Sequence, residues 1–452
     1  MDTRPRKMLI VTYVFPPFAA VGVYRILKFC KYLPEFGIAP VILTPRNPNT
    51  MARDEGLMAQ IPGYVPVYHS FSFEPFRGKR PSNVPSSAVS GGSSLTPASE
   101  SEEPSLPTRL KRLVRKQLSI PDTVYFWSWT GLWTGVQAIR NEKIDLVLSS
   151  SPPHSTHLLA SRMAALTKKP HIADFRDLWS QNTSYAERRY TPALKRRDRR
   201  YEESVLRQSA AITVNTDTFK MQLMANNAFL DAGRIEVVTN GVDPDDFKEF
   251  VASGTGESRF TLLYTGSLYG GHRNPEFFFA AVRAWLDRRS EISGEIRLLF
   301  IGNWAAEHAR LIVRHGIGTV IEKRDWMPQR EVLKETFAAD LLLLFQGFDP
   351  ALSAAIPRKL YEYIITNKPI LAFAPPGEIP DLITRFECGV SLSSPDPEPI
   401  ISYLDAAFDA WKHRRETGQT VHSLRSMPEL ETKQQVRKLA DLCHRLTGPD
   451  RK

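Results

Sequence analysis

The sequence predicts an α/β chain of two domains, each built on a parallel sheet with helices on both faces. Short apolar runs alternate with longer, helix-like segments through most of its length, the pattern of βαβ units. Most runs carry Val, Ile and Leu at successive positions, as expected when a strand is covered on both faces. With 452 residues the chain exceeds one ordinary core, which favours two domains of roughly 200 residues each.

In the first half the expected strands are residues 7–14, 40–44, 65–69, 144–149, 171–175, 211–215 and 235–239. In the second half they are 260–265, 296–301, 320–323, 340–345, 369–373 and 389–392, with helices between them such as 275–288 and 330–338. Residues 244–258 are mostly polar, contain Gly254 and Gly256, and read as a linker. The expected domains are therefore 1–244 and 245–428, followed by a C-terminal helix over 429–452 that can return to the first domain. Residues 79–107 have almost no large apolar side chain and are expected to form a disordered surface insertion.

Composition narrows the function classes. Hydrophobic residues at 42% and charged residues at 24% are globular values. The net charge of +10 favours acidic partners: nucleotide phosphates, nucleic acid or anionic lipid. Cys30, Cys388 and Cys443 are too few and too far apart for a disulfide framework or a zinc site, and fit a reducing compartment. The N-terminus is basic and then apolar, but Met8–Phe15 is short and runs into Pro16-Pro17, so it reads as a buried strand rather than a secretory signal. No run of about 18 apolar residues exists to span a membrane.

Chemistry concentrates where strands end. The first strand leads through FPPFAAVGVYR (15–25) into a helix, a placement that offers backbone N–H groups to an anion. Gly22 would admit a ligand close to the backbone and Arg25 could add charge, or the segment is an ordinary βα turn. Residues 150–157, SSPPHSTH, follow another strand. His154 there could donate to a sugar hydroxyl or phosphate, or simply cap the next helix. Asp174, Arg176 and Asp177 end the next strand and point to the same place, with a loop-fixing ion pair as the alternative.

The second half repeats the arrangement. YTGSLYGGHR (264–273) is a glycine-rich turn able to cradle phosphate, with Arg273 as a diphosphate clamp, or else a flexible loop. IPRKLYEY (356–363) opens a helix: Lys359 suits a phosphate, and Glu362 one turn on could accept both hydroxyls of a ribose. The alternative is a solvated helix face.

Taken in order, FPPFAAVGVYR, SSPPHSTH, ADFRDLW, NGVD (240–243), YTGSLYGGHRNPE and IPRKLYEYIITNKPILAFAPPG resemble the family 4 glycosyltransferases, and cover nearly the whole chain outside 79–107. The resemblance implies the GT-B fold, two Rossmann-like domains facing each other across a cleft. It implies a nucleotide-sugar donor held by Gly266, Ser267, Arg273, Lys359 and Glu362. His154, Asp174 and Gly22 would serve catalysis, and Arg25, Arg176 and Asp177 the acceptor or cleft. Retention of configuration and no metal or other cofactor are implied, because helix N-termini and basic side chains can neutralise the departing diphosphate. The members it resembles most build bacterial exopolysaccharide, capsule or O-antigen on a lipid carrier. Two departures stand out: the family's two glutamates lie eight positions apart, and Glu362 matches the second while Ala354 replaces the first. An arginine common after the donor-loop glycine is Ser267 here.

Residues 108–118, TRLKRLVRKQL, place Leu110, Leu113, Val114 and Leu118 on one helical face, with Lys111, Arg112, Arg115 and Lys116 off it. With Trp127, Trp129 and Trp133 nearby and a second basic run at 195–200, this suits an anionic membrane surface, or the apolar stripe packs on the first domain. The implied partners are thus a nucleotide-sugar, a lipid-linked or oligosaccharide acceptor, and the inner face of the cell membrane, with a cytoplasmic location. Nucleic acid is not expected, since no recognition module accompanies the basic runs. A GT-B sugar-nucleotide epimerase and a non-catalytic sugar-nucleotide sensor are the rival readings.

Overall fold

The structure is a computed structural model that describes residues 4–48, 52–74, 117–181, 190–251, 258–268, 273–304, 306–418 and 423–448. It divides into two compact units, Met1–Asn240 with Thr432–Lys452, and Gly241–Glu431.

The first unit holds a seven-stranded sheet. Its strands are β1 (Arg6–Val11), β3 (Ile38–Pro45), β5 (Val67–Ser70), β6 (Leu146–Ser151), β7 (His171–Phe175), β8 (Ala211–Val214) and β9 (Ile235–Val237). Their spatial order is β5-β3-β1-β6-β7-β8-β9, and every pairing is parallel. A two-stranded antiparallel ribbon, β2 (Phe18–Ala19) with β4 (Ala52–Arg53), sits outside the sheet and has no counterpart in the sequence reading. β6 and β7 are buried at every residue, as continuous apolar strands under helices should be.

The second unit holds a six-stranded parallel sheet. Its order is β12 (Ile321–Arg324), β11 (Ile296–Ile301), β10 (Phe260–Thr265), β13 (Leu341–Phe345), β14 (Ile370–Phe373) and β15 (Gly389–Leu392). In both sheets the chain starts at the centre, runs to one edge, returns and runs to the other. The order therefore reverses between β1 and β6 and between β10 and β13, the switch points beyond whose carboxyl ends open α/β sheets place ligands.

The C-terminal helix Thr432–Thr447 belongs to the first unit, where Val436, Leu439, Ala440, Leu442 and Cys443 are buried in its core. The segment read as a linker needs correction. Phe247 and Phe250 are buried in the second unit's core, 6.2 and 5.9 Å from the Phe337 ring, because two large aromatics gain more from packing than the surrounding polar residues lose. The expected insertion at 79–107 lies outside the described residues, as do Lys111, Arg112, Arg115 and Lys116.

Candidate active site

At the switch point of the first unit the charged side chains bind one another. Asp174, at the end of β7, is fully buried and accepts from Arg25 Nη2 at 2.8 Å and Nε at 3.1 Å. It also accepts from Ser150 Oγ at 2.7 Å and Thr213 Oγ1 at 2.6 Å. Burial alone would raise this carboxyl, but Arg25 and the two hydroxyls hold it below the ordinary aspartate value. Arg25 donates further to the carbonyls of Val238 and Thr239. Asp174, read as catalytic, and Arg25, read as lining the acceptor or cleft, are brought together here: both oxygens and most of the guanidinium tie the first helix (Val21–Tyr32) to β6, β7, β8 and the end of β9.

Arg176 donates to the carbonyls of Ser151 and Pro152, each at 2.9 Å, and so clamps the loop that leads to His154. A Cβ on Gly22 would overlap the Arg176 guanidinium. The room that Gly22 was expected to leave for a ligand is thus taken by a side chain. Asp177 sits beside Arg176; burial pushes its carboxyl up, and Arg176 pulls it down.

His154 lies at the start of the helix Ser155–Thr167 and is 3% exposed. Its ring stacks on Trp179 at 4.8 Å and 7°, and Trp179 is itself fixed by Nε1 donating to Asp198 at 2.9 Å. Beneath it runs a buried chain: Ser209 Oγ, His171, Ser149 Oγ and His157, with contacts of 3.2, 2.7 and 2.7 Å. Ser209 donates its own proton to the Val205 carbonyl, so it can only accept from His171 Nδ1. His171 Nε2 must then accept from Ser149, and Ser149 must accept from His157 Nδ1. The polarity fixes His157 with a bare Nε2, a buried acceptor that no donor meets. Burial lowers both imidazoles, His171 to about 3 and His157 well below the ordinary value, so both stay neutral.

The second unit arranges its switch point differently. Gly266 has φ +118°, a conformation that side chains rarely adopt, and its nitrogen donates to the Ile301 carbonyl at 2.8 Å. Tyr363 Oη meets Thr265 Oγ1 at 2.8 Å and accepts from its nitrogen at 3.2 Å, which docks the helix Arg358–Ile365 over the end of β10. Lys359 Nζ donates to the Thr265 carbonyl at 2.8 Å and lies 3.9 Å from the Tyr264 ring centroid. Burial pushes its ammonium well below the usual lysine value, Arg273 adds to that, and Glu362 opposes it. Glu362 pairs with Arg358 at 2.9 Å and accepts from Gln329 at 3.0 Å. The Ser267 carbonyl accepts from Tyr264 Oη at 3.2 Å. Gly266, Arg273, Lys359 and Glu362 thus share one neighbourhood. A partly desolvated lysine and an arginine beside the start of a helix can hold an anion there.

Residues 93–246 match the family Glycosyltransferase Family 4. Over that stretch the chain is similar to family 4 glycosyltransferases. Known structures resemble it across nearly its whole length at low identity. A sucrose-phosphate synthase from Thermosynechococcus elongatus has a TM-score of 0.61 and 12% identity over 98% of this chain and 99% of its own. Anabaena HepE in complex with UDP-glucose gives 0.57 and 11%, over 97% and 99%. WaaG, a glycosyltransferase involved in lipopolysaccharide biosynthesis, gives 0.55 and 14%, over 96% and 99%. These likenesses show the GT-B fold. No curated protein matches the chain in sequence.

Around the strand ends of the second unit lie groups that the motifs did not single out. Asn303 Nδ2 and Trp304 Nε1 beyond β11, and Gln346 Oε1 beyond β13, are buried without a hydrogen-bond partner. A rule that picks polar residues just past an apolar strand would have selected Asn303 and Gln346. Ala354 is 1% exposed, so the position of the family's first glutamate is a packed methyl. Among the described residues, no group of three or more His, Cys, Asp or Glu is placed to hold a metal, and no helix is long and apolar enough to cross a membrane.

The aromatic residues near the basic segment divide. Trp127 is fully buried, its Nε1 donating to Ser70 at 2.8 Å, whereas Trp129 and Trp133 are 55% and 67% exposed. In the second basic run, Arg199 pairs with Glu202 and Glu203, while Lys195, Arg196 and Arg200 face solvent.

Proposed function

We propose that this GT-B glycosyltransferase moves a sugar, with retention of configuration and without a metal, from a nucleotide-sugar bound by its second unit to a lipid-linked or oligosaccharide acceptor. The observation that carries the donor side is Lys359, a partly buried ammonium at the switch point beside Arg273. An anionic diphosphate would restore to it what burial removes. Glu362 on the same helix suits the ribose, and Lys359 with Arg273 would stabilise the departing diphosphate. Gly266, with Ser267 after it, lets the phosphates approach the backbone. HepE, which shares the fold, binds UDP-glucose.

His154, steered by Trp179, would face the transferred sugar at the first unit's switch point, with Arg176 and Gly22 holding its loop. A role in bacterial surface polysaccharide synthesis at the inner face of the membrane rests on the sequence resemblance and on the fold shared with WaaG. Residues 108–118, with the exposed Trp129 and Trp133, would supply the membrane contact.

A thermal-shift panel of UDP-, GDP-, ADP- and CMP-sugars tests the donor reading, because a ligand raises apparent stability by mass action. One class should stabilise the wild type and lose its effect in Lys359→Met; no stabilisation by any class rejects the reading. Donor turnover in the absence of any acceptor would instead favour the epimerase reading.

A further inference from the structure

The first unit contains a cavity that the start of the FPPFAAVGVYR segment lines together with residues outside every motif. It encloses about 270 Å³ beyond the carboxyl ends of β1, β3 and β5, near the lower end of ligand-sized pockets, which run about 300–1,000 Å³. One wall is apolar, made by Phe15, Pro16 and Phe18. The other is cationic, made by Arg46, Arg53 and His69, and among the described residues none that lines the cavity is acidic.

The fold holds these groups in place. Thr44 on β3 pairs with His69 on β5, and the Arg46 nitrogen donates to the Ser70 carbonyl at 2.7 Å, so Arg46 and His69 project from neighbouring strand ends. The β2–β4 ribbon pairs Phe18 with Arg53 and sets the guanidinium 5.5 Å from the phenyl centroid. Arg53 has one ion pair, with Glu55 at 3.4 Å, and both side chains are well exposed, so the pair is weak and exchangeable. Burial lowers the His69 imidazole, and repulsion from Arg46 lowers it further.

We propose that this cavity binds the phosphate of the acceptor, with the two guanidinium groups on the phosphate oxygens and the Phe15–Phe18 wall against the apolar group esterified to it. This rests on the proposed transfer to a lipid-linked acceptor and adds that its anionic end sits in the first unit. Planar guanidinium groups match phosphate geometry in bidentate fashion, and two of them beside proline and phenylalanine suit a phosphate ester with a hydrocarbon arm. A free phosphate compound would use the charged wall alone.

Calorimetric titration of the full chain with geranyl diphosphate, inorganic pyrophosphate and glucuronate tests this. Geranyl diphosphate should bind, and Arg46→Gln and Arg53→Gln should each weaken it about ten-fold, the loss expected for a charge-assisted contact. Both side chains are exposed, so the variants should keep the wild-type melting temperature, and either one alone suffices as the test. Lys359→Met should leave geranyl diphosphate binding within about two-fold, which separates this cavity from the nucleotide site. Pyrophosphate binding as tightly as geranyl diphosphate, with the same arginine dependence, would support the phosphate site and assign it to a free phosphate compound instead of a lipid. Absence of binding, binding indifferent to both arginines, or preference for glucuronate would overturn the proposal.

Discussion

The two sheets of this chain end alike in sequence and differently in chemistry. Beyond β6 and β7 the cations are engaged within the fold: Arg25 closes on the Asp174 carboxylate, and Arg176 on two carbonyls. Beyond β10 and β13 the lysine is met by one carbonyl and an aromatic ring, and Arg273 works against its charge more strongly than Glu362 supports it. A charge with its counter-ion built in serves the fold; a charge that still lacks one is available to a ligand. Within the first unit the buried pair of Arg25 with Asp174 contrasts in the same way with Arg53, whose pair with Glu55 is exposed and exchangeable.

The contrast breaks most visibly at Asp174. Asp174→Ala leaves the Arg25 guanidinium buried without its carboxylate and should cost about 3–5 kcal/mol in urea denaturation. Lys359→Met removes a desolvated charge and should leave stability unchanged or raised. If the two variants lose similar stability, the distinction between a structural and a ligand-seeking charge fails.

Next in size is the donor site. Lys359→Met and Arg273→Ala should each weaken nucleotide-sugar binding by about 1.5–3 kcal/mol in calorimetry, the range for hydrogen bonds to charged groups. Asp174→Ala, measured below its melting temperature, should bind the same nucleotide-sugar with wild-type affinity.

The buried histidine chain adds a pH dependence to the first unit. His171 stays neutral in the folded protein down to about pH 3, whereas an unfolded histidine titrates near 6.5. Between those values the unfolded state binds more protons. Stability is therefore full above 6.5 and is lost as pH falls toward 3, with a drop from pH 7 to pH 5 of about 2 kcal/mol. Urea melts at pH 7, 6 and 5 should show this fall, and His171→Gln should flatten it. An unchanged slope would mean that His171 is charged in the folded state.

Most of the architecture was legible because buried parallel strands write themselves as apolar runs, and each expected run contains or overlaps an observed strand. The failures have a common physical cause. Phe247 and Phe250 were hidden in a polar segment because composition averages over the two residues that matter. Asp174 and Arg25 stand 149 residues apart, so their pairing depends on the strand order and not on any local pattern. The Arg46, Arg53 and His69 cavity draws one residue from each of three separate elements, none of which carries a recognisable motif. Lys359 and Gly266 were found because helix starts and glycine turns are local signals.

The smallest effect tests the finest point of the comparison, whether Gly22 is required by a ligand or by Arg176. Its Cβ would overlap the Arg176 guanidinium, which is the far end of a side chain that can swing but is anchored by two carbonyls. Gly22→Ala should therefore cost only about 1 kcal/mol, the low end for overpacking. Arg176→Ala removes the obstacle and frees the two carbonyls it holds. If Arg176 is what Gly22 accommodates, the double variant should be no less stable than Arg176→Ala alone, a coupling of about 1 kcal/mol in the double-mutant cycle. If the losses simply add, the backbone at Gly22 is needed for its own sake, and the reading of that turn as a surface open to substrate regains its ground.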